Sequence, residues 1–325
     1  MKIAFIGLGN VGGKLAGSLL RNGFDLSVRD LDKAAARGLL ERGARWGDSP
    51  KAMAEWADAV ITCLPSPAAG AEVMEADDGV LAGLASGPGG KLWLEMSTTD
   101  EAEVRRLGGA VAARGGLPLD APVSGGCHRA ATGNISVFAG GERAAFDKAL
   151  PVLTALGRRI LHTGALGSAS ILKVVSNYLA TANLVSLCEA LVTAKVAGMD
   201  LGTTFEAIRI SSGNSFVHET ESRVILNGSR DINFTMDLVR KDIGLFSAIA
   251  ERGGVALELA PLLVDIFRDG ERQYGAREWS PNIIKRLEEA CRVEVRAPGF
   301  PAQITDFEPE APGYEVVVER PPSES

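Results

Sequence analysis

Along the first 160 residues, short apolar runs alternate with segments whose hydrophobic positions recur at helical spacing. The runs Lys2–Gly7, Asp25–Asp30, Asp58–Leu64, Lys91–Met96, Leu117–Ala121 and Asn134–Ala139 predict strands. Stretches rich in Ala, Leu, Arg and Glu between the first five predict helices. Most of the runs are almost continuously apolar, as strands buried on both faces must be. The β-α-β alternation therefore predicts an α/β domain with a doubly wound parallel sheet and helices on both sides.

After Gly164 the pattern changes. One Ala-, Leu- and Val-rich stretch runs from about Ser168 to Gly198 without Pro or internal Gly, which predicts a long helix joining two domains. Helical patterns follow at about Thr203–Ile210, Glu219–Leu226, Met236–Arg252, Ala260–Gly270 and Ile283–Cys291, with almost no strand signal, so this part is expected to be all-helical. The last 33 residues, from Val293, hold six of the 15 prolines and seven acidic residues against two Arg. Such a segment cannot pack a core of its own and reads as a tail that wanders or drapes over a neighbour. The expected division is 1–163, 164–292 and 293–325.

The 325 residues are 46% hydrophobic and 23% charged, the balance of a globular chain. The net charge of −7 argues against a nucleic-acid partner. No run reaches the roughly 20 continuous apolar residues of a membrane helix, and the chain opens directly on a strand, so a soluble cytoplasmic protein without membrane contact is expected. Cys63, Cys127, Cys188 and Cys291 are widely spaced and read as reduced, buried thiols. They form no zinc-ligand spacing with His128, His162 or His218, so no metal is expected.

Candidate chemistry begins at Gly7-Leu8-Gly9-Asn10-Val11-Gly12, a G-x-G-x-x-G that closes the first strand and opens a helix. In that context Gly7 permits the tight turn, Gly9 lets a pyrophosphate approach the backbone, and Gly12 lets the helix pack against the sheet. Asp30 lies 18 residues beyond Gly12 at the end of the second strand, where a carboxylate accepts both adenosine ribose hydroxyls and repels a 2′-phosphate. NAD is therefore expected over NADP, with Arg29 the residue that would admit NADP.

With these residues in hand, the chain resembles the β-hydroxyacid dehydrogenase family, which includes 3-hydroxyisobutyrate dehydrogenase and tartronate semialdehyde reductase. Four motifs match in order: IAFIGLGNVGGKLAGSLLRNG, the loop DAPVSGGCHRAATGN at Asp120–Asn134, GSASILKVVSN at Gly167–Asn177, and the region around Lys241-Asp242. The resemblance spans about residues 2–291 and implies a Rossmann-type domain followed by a helical one, a small hydroxy acid or its semialdehyde as substrate, and a homodimer or homotetramer. It implies that Ser124, Gly125 and Gly126 bind the substrate carboxylate, that Lys173 is the general acid/base, and that Asn177 orients the substrate. Leu64, Pro65, Ser97, Thr98 and Lys241 become further cofactor contacts. Ala169 and Asn134 depart from the family's usual Gly and Thr, and Cys127-His128-Arg129 is not its commonest loop filling.

Lys173 and Asn177 are spaced i, i+4 and share a helix face. Alcohol oxidation needs a base for the hydroxyl proton, and desolvation or a neighbouring positive charge lowers a lysine's pKa toward that task. The next position on that face is Ala180, where related decarboxylases carry an acid, so simple reversible hydride transfer is expected. His162 and His218 read as structural, and Trp46 and Trp93 as packing residues. The alternative to an enzyme is a dinucleotide-binding sensor that kept the fold without turnover.

Overall fold

Alternate residues of the central strands point to opposite faces, and both sets are apolar. In β1 (Lys2–Ile6), Ile3 and Phe5 join one hydrophobic cluster while Ala4 and Ile6 join another. In β4 (Ala59–Thr62), Ala59 and Ile61 separate from Val60 in the same way, as do Leu92 and Leu94 from Trp93 in β5 (Leu92–Glu95). Helices α1 (Gly12–Arg21), α2 (Arg37–Leu40) and α8 (Arg143–Leu156) cover the first face. The second is covered by α3 (Pro50–Trp56), α4 (Pro67–Glu75), α5 (Val80–Leu84) and α6 (Glu101–Ala112). The computed structural model describes residues 1–84 and 90–318.

Among those residues the sheet has ten strands, in the order β10-β9-β8-β6-β5-β4-β1-β2-β3 with β7 attached to β8. The remaining strands are β2 (Asp25–Arg29), β3 (Arg45–Trp46), β6 (Leu117–Asp120), β7 (Val123–Ser124), β8 (Ser136–Gly140), β9 (Arg159–Gly164) and β10 (Tyr314–Glu315). Pairing is parallel except where β8 meets β6 and β7. There the chain doubles back through α7 (Gly126–Thr132), so the sheet is doubly wound but not purely parallel. The six expected strands are present, while β3, β7, β9 and β10 add to them.

Helix α9 (Ser168–Val196) is one unbroken element of 29 residues. The chain divides into two compact units, Met1–Lys173 with Asp306–Ser325, and Val174–Thr305, so α9 ends the first body of sequence and begins the second. The division thus falls at 173/174 and 305/306, against the expected 163/164 and 292/293. By length and composition alone α9 would also suit a membrane span, as a core helix of a soluble protein can.

The second unit is helical. Leu184, Leu187, Leu191 and Val192 of α9 pack with α10 (Leu201–Arg209), α11 (Phe216–Asn227), α12 (Met236–Arg252), α13 (Leu259–Tyr274) and α14 (Lys285–Cys291) around Phe205, Ile225, Ile243 and Phe267. Of the two readings of the C-terminal segment, wandering or draping over a neighbour, the described part takes the second. Val295 is fully buried in this core, and its N–H donates to Glu288, whose carboxylate also pairs with the buried Arg230 at 2.6 Å. Residues 306–315 belong instead to the first unit, where Tyr314 and Glu315 pair with Arg159 and Ile160. The final seven residues of the expected tail lie outside the described residues. Of the four cysteines, Cys127 and Cys188 are buried, Cys63 is half-buried and Cys291 is exposed, so not all four are buried as the sequence leads one to expect.

Candidate active site

The glycine-rich turn has the geometry its spacing implies. Gly7 has φ +100°, and a Cβ there would stand 2.2 Å from the Cys63 carbonyl oxygen. At Gly12 a Cβ would meet the Gly7 carbonyl oxygen at 2.1 Å, so only glycine lets α1 start this close to β1. Around Gly9 nothing lies within 4 Å of a Cβ, which leaves an open cradle in front of the backbone. Helix α1 begins without a side-chain cap or an acidic residue in its first turn, keeping its positive end available to an anion.

Asp30 follows β2 beside this turn. Its Oδ2 accepts the Leu8 N–H at 2.6 Å and its Oδ1 accepts the Asp32 N–H at 3.0 Å, which fixes the carboxylate at the cradle's edge. Arg29 points elsewhere: its guanidinium donates to the Gly47 and Asp48 carbonyls and lies over Trp46. Lys33 lies over the same ring. These features suit a dinucleotide: donors for a pyrophosphate, a carboxylate for a ribose, and no bulk in the cradle.

Leu64 and Ser97, expected as further cofactor contacts, are joined directly, since the Leu64 N–H donates to Ser97 Oγ at 2.7 Å. Behind them stands Glu95, which accepts from the Ser97 N–H and from Thr62 Oγ1, each at 2.8 Å. Burial pushes the Glu95 carboxyl above its ordinary range. Its role went unread in the sequence, although an acid inside the apolar run KLWLEM was the available signal. Pro65 and Thr98 adjoin Leu64 and Ser97.

Ser124 ends β7, and Gly125 (φ +127°) and Gly126 (φ +86°) carry the chain into α7 through conformations that other residues rarely adopt. The Arg129 stem lies 3.2 Å from where a Gly125 Cβ would stand, and the His128 ring 2.9 Å from that of Gly126. Burial, then the Arg129 charge, holds the His128 pKa below its usual value. In the same unit Asp120 is fully buried and accepts the Gly167 N–H (2.8 Å), the Ser170 N–H (2.7 Å) and the Ser170 hydroxyl (2.9 Å). It thereby anchors the first turn of α9, and Lys173, only 8% exposed, follows one turn on.

Asn177 lies one turn beyond Lys173 on the same helix, at the start of the second unit. Its Nδ2 donates to Asp242 Oδ2 at 2.6 Å, and the Lys241 ammonium pairs with Asp242 Oδ1 at 2.9 Å. Tyr178 stacks on Phe246 with ring centroids 4.1 Å apart, which fixes α9 against α12 beside this contact. Asp242 is therefore the link between Asn177 and Lys241. The sequence shows the Lys241-Asp242 pair but not the role of Asp242, because its partner is 65 residues away.

The structural histidines behave as expected. His162 contacts the Gly141 carbonyl through Nε2 and packs on Phe146, and the buried His218 contacts the Phe205 carbonyl.

Known proteins place the chain in a family. The family profile described as the NAD binding domain of 6-phosphogluconate dehydrogenase matches residues 2–164, and that described as NAD-binding of NADP-dependent 3-hydroxyisobutyrate dehydrogenase matches residues 167–287. The chain is 32% identical to 2-(hydroxymethyl)glutarate dehydrogenase of Eubacterium barkeri, over 91% of this chain and 97% of the relative. It is 34% identical to NAD-dependent L-serine dehydrogenase of Pseudomonas aeruginosa, over 88% and 97%. The solved 3-hydroxyisobutyrate dehydrogenase of Salmonella typhimurium superposes with a TM-score of 0.79 at 28% identity, covering 88% of this chain and 99% of that one. Solved imine reductases share the fold at 19% identity. The chain belongs to the β-hydroxyacid dehydrogenase family, NAD(P)-dependent oxidoreductases that move a hydride between the cofactor and the hydroxyl-bearing carbon of small hydroxy acids.

Proposed function

We propose that the protein oxidises the alcohol of a small 3-hydroxy acid, or reduces the matching semialdehyde, with Lys173 as general acid/base and NAD preferred over NADP. The observation that carries this is one helix bearing the buried Lys173 and, a turn later, Asn177 with its amide held by Asp242. The substrates named for the three relatives support the class, since each has a hydroxyl two carbons from a carboxylate carbon.

The Ser124 hydroxyl and the Gly125 and Gly126 N–H groups take the substrate carboxylate. Lys173 Nζ, as the neutral amine, accepts the hydroxyl proton during oxidation and returns it during reduction. Asn177 orients the substrate through its amide, and Asp242 fixes Asn177 and Lys241. Bound NAD(P) supplies the hydride acceptor or donor. The Gly7–Gly12 turn, Asp30, Leu64, Pro65, Ser97, Thr98 and Lys241 would hold it. Asp30 at the ribose and Arg29 engaged with Gly47, Asp48 and Trp46 favour NAD. Dinucleotide binding belongs to the first unit and substrate orientation and assembly to the second. The protein is read as cytoplasmic, and the exposed Leu172 and Leu179 on α9 support a homodimer or homotetramer.

The test is NADH formation over a panel of small 2- and 3-hydroxy acids with NAD and NADP. Turnover of a 3-hydroxy acid with NAD, and an Asp30→Ala variant that narrows the NAD preference, is the expected result. Turnover confined to 2-hydroxy acids, or an NADP preference in the unaltered protein, counts against it.

A further inference from the structure

Asn134, fully buried just after α7, stands where the family resemblance leads to threonine. Its partners come from the far end of the chain: Nδ2 donates to Asp306 Oδ2 at 2.8 Å and to the Glu308 carbonyl at 2.6 Å. The hydroxyl of Thr132, the last residue of α7, donates to the same carboxylate oxygen. Nearby, Arg21 donates to Glu310 and to the Ala131 carbonyl, joining the end of α1 to the last turn of α7. Partial burial raises the pKa of Asp306, but the Thr132 and Asn134 donors more than offset this and hold it below the ordinary carboxylate range.

The segment providing these contacts lies beyond the matched family profile, which ends at residue 287. The Salmonella enzyme is covered almost entirely while using only 88% of this chain. Helix α7 is seven residues long, about 10 Å, so fixing its last turn fixes its first. The Asn134 N–H bonds to the Arg129 carbonyl, and the Arg129 stem packs over Gly125, which completes a path from Asp306 to the Ser124-Gly125-Gly126 turn.

We propose that Asp306 is a positioning residue for the hydroxy-acid substrate: through Thr132 and Asn134 it holds α7 so that Ser124, Gly125 and Gly126 are set for the substrate carboxylate. This rests on the assignment of those three residues to the carboxylate.

The test compares Asp306→Ala, Asp306→Asn and, as a control at another attachment of the same segment, Glu315→Ala, whose carboxylate pairs with Arg143. Asp306→Ala is expected to raise the hydroxy-acid KM about tenfold, equivalent to ~1.4 kcal/mol, with kcat and the KM for NAD each within about twofold. Asp306→Asn keeps an acceptor and is expected to recover part of that loss, and Glu315→Ala to leave the KM unchanged. Hydrogen exchange gives a readout independent of turnover: amides of residues 126–134 exchange faster in Asp306→Ala than in Glu315→Ala. An unchanged KM with unchanged exchange overturns the proposal. So does a general loss of stability and NAD binding, which marks a merely structural residue. If the unaltered protein turns over no hydroxy acid, the functional assignment fails. The exchange data then still decide whether Asp306 holds α7, with no acceleration overturning it.

Discussion

Replacing Gly9 by alanine separates nucleotide binding from folding. No atom lies within 4 Å of the Cβ this would add, and Gly9 has no positive φ in the left-handed range, so the methyl is accommodated in the protein alone. The expected change in unfolding free energy is within about 1 kcal/mol, with slight stabilisation from the less flexible unfolded chain. The methyl nonetheless occupies the cradle that the pyrophosphate needs. Displacing phosphate oxygens by ~1 Å weakens one or two charge-assisted hydrogen bonds, each worth about 1.5 kcal/mol at least, so the Kd for NAD is expected to rise about 10- to 150-fold. Gly12→Ala provides the contrast. Its Cβ would lie 2.1 Å from the Gly7 carbonyl oxygen, so α1 must shift and about 1–3 kcal/mol of stability is lost together with NAD affinity. Thermal unfolding and calorimetric titration with NAD read both quantities. Wild-type NAD affinity in Gly9→Ala, or a large loss of its stability, would refute the placement of the pyrophosphate over this turn.

Two further outcomes follow from the second unit. Asp242→Ala removes the acceptor of the Asn177 amide and the partner of Lys241, and is expected to lower kcat/KM for the hydroxy acid about thirtyfold, ~2 kcal/mol; an unchanged value in steady-state kinetics would show that Asp242 positions neither. Burial pushes the Glu221 carboxyl up to about 8, and its Oε2 is buried without a hydrogen-bond partner among the described residues. The folded state thus keeps this proton up to about pH 8, whereas the unfolded chain releases it near 4.5, and stability falls as pH rises through that window. Glu221→Gln is expected to stabilise the protein by at least about 2 kcal/mol more at alkaline than at mildly acidic pH in denaturant melts, and an equal effect at both would contradict the burial argument.

What the sequence revealed were the features written in local pattern. β1, β4 and β5 were legible because both of their faces are buried, making each run continuously apolar. The Gly7–Gly12 turn and the Lys173–Asn177 pair were legible because their spacing lies within one turn or one helix. β3 and β10 are two residues long, too short to carry a period, and exist only by pairing, β3 with the preceding β2 and β10 with the distant β9. The C-terminal segment reads as a tail without a core of its own, and its composition does not say where it docks. Asp306 finds Asn134 and Glu315 finds Arg143, each 172 residues away. Asp120, Glu95 and Asp242 were visible as acids, but their work lies in backbone amides and side chains that only the fold brings to them.

The most direct measurement is the rate of NADH formation by Lys173→Ala with the best 3-hydroxy acid, alongside its Kd for NAD. A general acid/base contributes about 10²–10⁴ in rate, so a fall of at least about 10² with NAD affinity within about twofold of the unaltered protein is expected. A variant that keeps at least a tenth of the rate, or that loses NAD binding in proportion to turnover, would contradict the assignment of Lys173 as the proton carrier.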